Sequence, residues 1–229
     1  MNKLTGTVKA IVFDLDDTLY PEIQYVRSGF RVVAGKLTRP GCDIGQVFDL
    51  LWNTFENGPR NRVFNEVLSR LDMKDDPQII AELVGIYRCH RPNLQLEPDV
   101  RNMLEKLRRQ YQLGLITDGF LPTQKLKVEA LRLQNTFDEI IYTEELGREF
   151  WKPSPVAFEN ISAALNCPAE YCLYIADNPT KDFIAPNQLD WHTVQVTFPG
   201  QVHAHLPAAD KGQPQVTINE TKTLLSILP

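Results

Sequence analysis

One local pattern recurs along the chain: a short apolar run that stops at an acidic or polar residue. "AIVFD" ends at Asp14, "LGLITDG" reaches Thr117 and Asp118, "EIIYTEE" surrounds Ile140, and "YCLYIADN" leads to Asp177. A weaker fifth run, "HTVQVTF", spans His192 to Phe198. Consecutive apolar residues hide both faces of a strand, the habit of parallel sheets rather than of half-solvated antiparallel ones. Parallel neighbours need crossovers, and helix signals lie between the runs. Glu97-Pro98 opens a helix with Val100, Met103, Leu104 and Leu107 at helical spacing and Lys106, Arg108 and Arg109 near its end. Pro122 to Leu133 and Ser154 to Leu165 predict two more. The alternation predicts an α/β fold with a doubly wound parallel sheet.

In such sheets ligands bind beyond the carboxyl ends of the strands. Asp14, Thr117, Asp118 and Asp177 all fall there. Asp14 and Asp16 stand two apart at the first strand end, and two carboxylates in one site raise each other's pKa unless a cation offsets them. Mg²⁺ suits that place, because it takes hard oxygen ligands and keeps several waters. Asp182 follows Asp177 across "NPTK" and adds a further oxygen. Thr117 and Gly119 offer a hydroxyl and backbone N–H groups, donors suited to the oxygens of a phosphoryl group. Lys152, in "WKPSP", balances carboxylates and can bind phosphate. Asp17 reads as a turn residue that does not touch a ligand.

Asp14 and Thr117 are 103 positions apart, far more than the roughly 30 residues of one strand–helix–strand unit. The excess reads as a helical insertion over residues 21–94, leaving 1–20 and 95–229 as the sheet-bearing core. Tyr25 to Leu37 predicts one helix. Asp43 with Gln46 forms a capping box before Val47, Leu50, Leu51 and Phe55. Asn61 to Leu71 predicts a third helix, and Asp76-Pro77 caps a fourth. Four short amphipathic helices can bury their stripes against one another.

A net charge of −5 speaks against a nucleic acid polymer as partner. No apolar run approaches the roughly 20 residues of a membrane span, and the first one ends at Asp14, too short for a signal sequence. Cys42, Cys89, Cys167 and Cys172 form no Cys-x-x-Cys pair and read as free thiols. His203 and His205 read as solvated loop residues. A cytoplasmic protein is expected.

In this order the motifs resemble those of the haloacid-dehalogenase-like hydrolase superfamily, over essentially the whole chain. "DLDDT" (Asp14–Thr18), "LITDG" (Leu115–Gly119), "WKPSP" around Lys152 and "ADNPTKD" (Ala176–Asp182) match its four motifs. Ala176 stands where glycine is usual, and Asp17 replaces another common glycine. The resemblance implies a Rossmann-like core with a helical cap inserted after the first motif. It implies that Asp14 becomes an aspartyl-phosphate, while Asp16 protonates the leaving oxygen and then activates water. Thr117, Asp118, Gly119 and Lys152 would hold the phosphoryl group. Mg²⁺ would be held by Asp14, the Asp16 backbone carbonyl, Asp177 and Asp182.

Dehalogenases of the superfamily lack the second acid of the first motif, so Asp16 favours phosphoryl chemistry. The expected activity is Mg²⁺-dependent hydrolysis of a small phosphorylated metabolite, a sugar phosphate or nucleoside monophosphate. A phosphomutase shares all four motifs and is the alternative; a non-catalytic binding protein is the third reading. Tyr20, Arg27, Arg60, Arg62, Arg91 and Phe120 are candidate substrate contacts, each also readable as an ordinary surface or packing residue. No oligomeric state is read from the sequence.

Overall fold

The computed structural model describes Leu4, residues 6–202 and residues 206–228; His203 and His205 lie outside the described residues. The chain begins with β1 (Ala10–Phe13), then α1 (Ile23–Leu37), α2 (Ile44–Asn57), α3 (Val63–Arg70) and α4 (Pro77–Cys89). Next come α5 (Pro98–Leu107), β2 (Gln112–Thr117), α6 (Leu121–Ala130), β3 (Glu139–Tyr142) and α7 (Val156–Ala164). The remainder holds β4 (Cys172–Ala176), α8 (Ile184–Gln188), β5 (His192–Val196), β6 (Val216–Ile218) and α9 (Leu224–Ile227). The chain divides into two compact units, one of Gln24–Leu94 and one of the residues before and after it.

The larger unit is built on a six-stranded sheet in the order β3-β2-β1-β4-β5-β6, every pairing parallel. This is the Rossmann-like α/β sheet the apolar runs predict. All four β1 side chains are fully buried, as a central strand covered on both faces requires. Phe13 lies level with Leu115 of β2 and Ile175 of β4. Asp14, Thr117 and Asp177 therefore emerge at the same edge. Strand order reverses between β1 and β4, the crevice where such sheets take ligands. Phe158, Tyr174, Phe183 and Trp191 pack edge to face as the large members of one apolar layer.

Two details depart from the sequence expectation. Val216, read only as a short apolar piece, begins β6, whose three residues pair with Val194–Val196; so few residues carry no periodicity. The helix after "TDG" stops at Ala130 rather than Leu133, because Arg132 takes a left-handed conformation (φ 56°) and Leu133 N–H returns to Val128 O.

The smaller unit contains α1 to α4. Asp43 caps α2 by accepting from Gly45 and Gln46 N–H at 2.7 and 3.0 Å, and Gln46 Oε1 accepts from Asp43 N–H at 3.1 Å. Asp76 accepts from Gln78 N–H ahead of Pro77. Each such cap is worth about 1 kcal/mol. Phe30 gathers the rings of Phe55, Phe64 and Tyr87 around it. Gly29 allows this: a Cβ there would come within 2.5 Å of the Tyr87 ring.

Candidate active site

Asp14 follows β1 directly, and its N–H still donates to Ile175 O at 2.8 Å, which fixes its position on the sheet edge. Lys152 Nζ donates to Asp14 Oδ1 at 2.5 Å and to the Tyr174 hydroxyl at 3.0 Å. It also lies 3.0 Å from Asp182 Oδ1 as an ion pair. Asp14, Asp177 and Asp182 are all buried and present oxygens within 4.8 Å of one another. Asp182 Oδ2 accepts from Asn178 N–H at 3.1 Å. Asp177 Oδ2 is buried with no hydrogen-bond partner.

Three buried carboxylates thus cluster beside one buried lysine, which contacts two of them. Burial pushes the Asp177 carboxyl up to about 9, with the charges of Asp182 and Asp14 adding. Burial also raises Asp14, to about 7, against the pull of Lys152 and with Asp182 adding. Leaving a buried carboxylate uncompensated costs several kcal/mol. The orphaned Asp177 oxygen and the surplus negative charge fit a cation, and an all-oxygen donor set fits a hard divalent one such as Mg²⁺.

Asp16 lives in a different setting. Lys127 Nζ lies 2.7 and 2.8 Å from its two carboxylate oxygens. Gln124 Nε2 donates to Oδ2 at 3.0 Å, and the Tyr20 hydroxyl donates to Oδ1 at 2.5 Å. Burial alone would raise this carboxyl; Lys127, aided by Tyr20 and Gln124, outweighs it and holds Asp16 below the usual carboxylate value. Asp17 adopts φ 52°, and its carboxylate accepts from Glu22 N–H at 2.8 Å and Val202 N–H at 2.7 Å.

At the end of β2, Thr117 is buried, and its Oγ1 accepts from Gln124 Nε2 at 2.5 Å. Gly119 has φ 135°, and a Cβ there would meet Gln124 Cδ at 3.0 Å, so glycine alone suits this turn. The Asp118 carboxylate accepts from Thr143 Oγ1 at 2.9 Å, Lys152 N–H at 3.2 Å and Lys181 Nζ at 2.6 Å. Its side chain offers a phosphate no donor and instead fixes Lys181. A cavity of about 140 Å³ is walled by Asp14, Asp16, Asp118, Lys152, Asp177 and Lys181 among others; Thr117 and Gly119 stand outside its walls. A larger cavity of about 260 Å³, near Tyr20, Glu97 and Lys222, has none of the three clustered aspartates in its walls.

The model of the haloacid dehalogenase-like hydrolases matches residues 11–196. The chain belongs to that family. Glyceraldehyde 3-phosphate phosphatase of Methanopyrus kandleri is 27% identical over 96% of this chain and 97% of its own. Human N-acylneuraminate-9-phosphatase is 32% identical over 76% of each chain. In fold, the chain is similar to a magnesium-bound structure of YfnB, a HAD-hydrolase of Bacillus subtilis: TM-score 0.71 at 20% identity, covering 97% of this chain and 99% of that one.

Against the haloacid-dehalogenase-like motifs, three contacts were not named from sequence: Gln124, Lys127 and Lys181. A signal for the first two existed. Gln124, Lys127, Val128 and Leu131 recur at helical spacing and are all buried, so a lysine stands inside an otherwise inward-facing stripe, where it needs a partner. Lys181 carries no such signal. Among the residues offered as substrate contacts, Tyr20 is buried on Asp16. Arg27 and Arg60 stack over Trp52 and Phe55 within the helical unit, Arg62 pairs with Glu66 at 3.9 Å, and Arg91 is exposed. Phe120 packs on Trp151 under Arg148. The four cysteines are free, and no helix among the described residues is long and apolar enough to cross a membrane.

Proposed function

We propose that this hydrolase is a phosphatase that hydrolyses a small phosphomonoester, with a sugar phosphate as its substrate class. The reading rests first on the Asp14–Lys152–Asp177–Asp182 cluster, in which a nucleophilic carboxylate meets a cation site. The relatives similar over most of the chain support it, since both are phosphatases named for phosphorylated sugars. Mg²⁺ would be held by Asp14, Asp177 and Asp182 with the Asp16 carbonyl, and when bound it supplies charge neutralisation between an anionic nucleophile and an anionic substrate.

In the first half of the reaction an Asp14 oxygen attacks phosphorus and the bond to the leaving oxygen breaks. That oxygen takes a proton from Asp16, drawn from the minor protonated form that its lowered value leaves, and departs as an alcohol. In the second half a water attacks the aspartyl-phosphate, its proton passes to the Asp16 carboxylate, and the bond to Asp14 breaks, releasing inorganic phosphate. Lys152 keeps Asp14 oriented and balances charge, and Lys181 faces the same cavity. The helical unit Gln24–Leu94 would serve as the cap that chooses among substrates.

The test is a panel of sugar phosphates, nucleoside monophosphates and p-nitrophenyl phosphate, supplied with Mg²⁺ and ranked by kcat/KM. Release of phosphate led by the sugar phosphates is expected. No release across the panel would overturn the phosphatase reading; interconversion of hexose phosphates without net release would establish the mutase instead.

A further inference from the structure

Lys127 and Gln124 belong to no motif named above, yet both bond the Asp16 carboxylate directly. Lys127 is a buried lysine, its side chain 3% exposed, and it grips both oxygens of one carboxylate. Burying an ammonium is costly unless it is paired and hydrogen-bonded, so this lysine is built for that carboxylate; Glu22 stands farther off, at 3.8 Å. Gln124 sits one helical turn earlier on the same face of α6 and spends its amide on two acceptors, Asp16 Oδ2 and Thr117 Oγ1. One side chain thereby ties the first-motif acid to the second-motif hydroxyl. α6 follows the second-motif turn at Gly119, whose φ is 135°.

We infer that Lys127 and Gln124 are positioning residues for Asp16, holding its carboxylate in place for the water-activating half of the reaction. The inference rests on the proposed phosphatase chemistry. After the first half Asp16 is a carboxylate, the form Lys127 grips with two bonds. Its free lone pairs are then aimed by the three donors rather than left to rotate. Water activation requires that aim, because a base must lie within hydrogen-bond reach of the proton it takes. Departure of a good leaving group such as p-nitrophenolate requires no proton, so the first half tolerates loss of the grip.

The test compares wild type with Lys127→Met and Lys127→Arg on p-nitrophenyl phosphate and on the fastest substrate of the panel. Steady-state kinetics are combined with intact mass of acid-quenched enzyme. For Lys127→Met on p-nitrophenyl phosphate, kcat should fall on the order of 100-fold, KM should fall with it, and kcat/KM should change little. The quenched protein should be heavier by one phosphoryl group, as the aspartyl-phosphate waits for water. Lys127→Arg should recover part of kcat and lose part of the trapped species. A misfolded or merely loosened Met variant would lose kcat/KM without trapping phosphate; the Arg variant, which keeps the cation, then carries the comparison. Unchanged kcat in both variants, or falling kcat with no phosphoenzyme, would overturn the inference. A wild type inactive on the whole panel would instead remove the phosphatase reading on which it rests.

Discussion

Asp14 and Asp16 lie two residues apart, each beside a buried lysine, yet their carboxyls move in opposite directions. Burial pushes Asp14 up to about 7, and Lys152, shared with Asp182 whose charge adds to the rise, does not offset it. Lys127 makes two short contacts to Asp16, and Gln124 and Tyr20 add donors, so Asp16 is held down against its burial. Burial pushes both carboxyls up, and only around Asp16 do the donors outweigh it. One half of the site is short of positive charge; the other half finds its charge partner within the protein.

The contrast can be broken by substitution. Removing the nucleophile is the largest change: Asp14→Asn should lower phosphate release by on the order of 10⁴-fold or more. Retained turnover would show that Asp14 does not attack. Asp16→Asn should cost less, roughly 10²- to 10⁴-fold, and a loss equal to that of Asp14→Asn would merge the two roles.

Lys152→Met attacks the charge balance directly. With its lysine gone, the carboxylate cluster is left unpaired, and the metal-free chain should lose about 3–5 kcal/mol in urea unfolding. Part of that loss should return with Mg²⁺. A loss under about 1 kcal/mol, the range of an exposed pair, would show that the cluster is better solvated than its burial indicates.

The cation itself sharpens the comparison through pH. The Asp14 and Asp177 carboxyls are raised, to about 7 and about 9, while unfolded carboxyls titrate near 4. Between those values the folded metal-free chain holds protons that the unfolded chain has released. Stability from this source is therefore full below about pH 4 and drains as pH rises through 7 toward 9. Mg²⁺ displaces the same protons, so it should bind more tightly at about pH 8.5 than at about pH 6. At 100 times its Kd it should add about 2.7 kcal/mol, roughly 5–10 °C in Tm for a chain of this size. Equal shifts at both pH values, read at one fixed Mg²⁺ concentration, would disconnect the three aspartates from the metal.

The smallest change lies on the complete half. Tyr20→Phe removes one of the donors to Asp16 and leaves Lys127 and Gln124 in place. A neutral-to-charged hydrogen bond of this kind is worth about 1.5–3 kcal/mol, but two remaining donors should keep kcat within about tenfold of wild type. A deeper fall would mean that Tyr20, not Lys127, is the principal support.

Much of this architecture could be read from the residues. The apolar runs at Ala10–Phe13, Leu113–Ile116 and Cys172–Ala176 can satisfy their burial only as central parallel strands, and their terminal acids must then share an edge. The caps at Asp43 and Asp76 are equally legible, because a cap is a contact across two or three residues. β6 escaped because three residues carry no period.

What the sequence determined by itself is a candidate set of site groups: Asp14, Asp16, Lys152, Asp177 and Asp182, named by strand ends and by the resemblance of the motifs. Only the tertiary structure decided how each is electrically set. Lys127 meets Asp16 across 111 positions and Lys152 meets Asp14 across 138, and no local pattern reports which lysine serves which acid. A carboxylate's state depends on the charges and donors within a few ångströms of it, and in this fold those come from distant strands and helices.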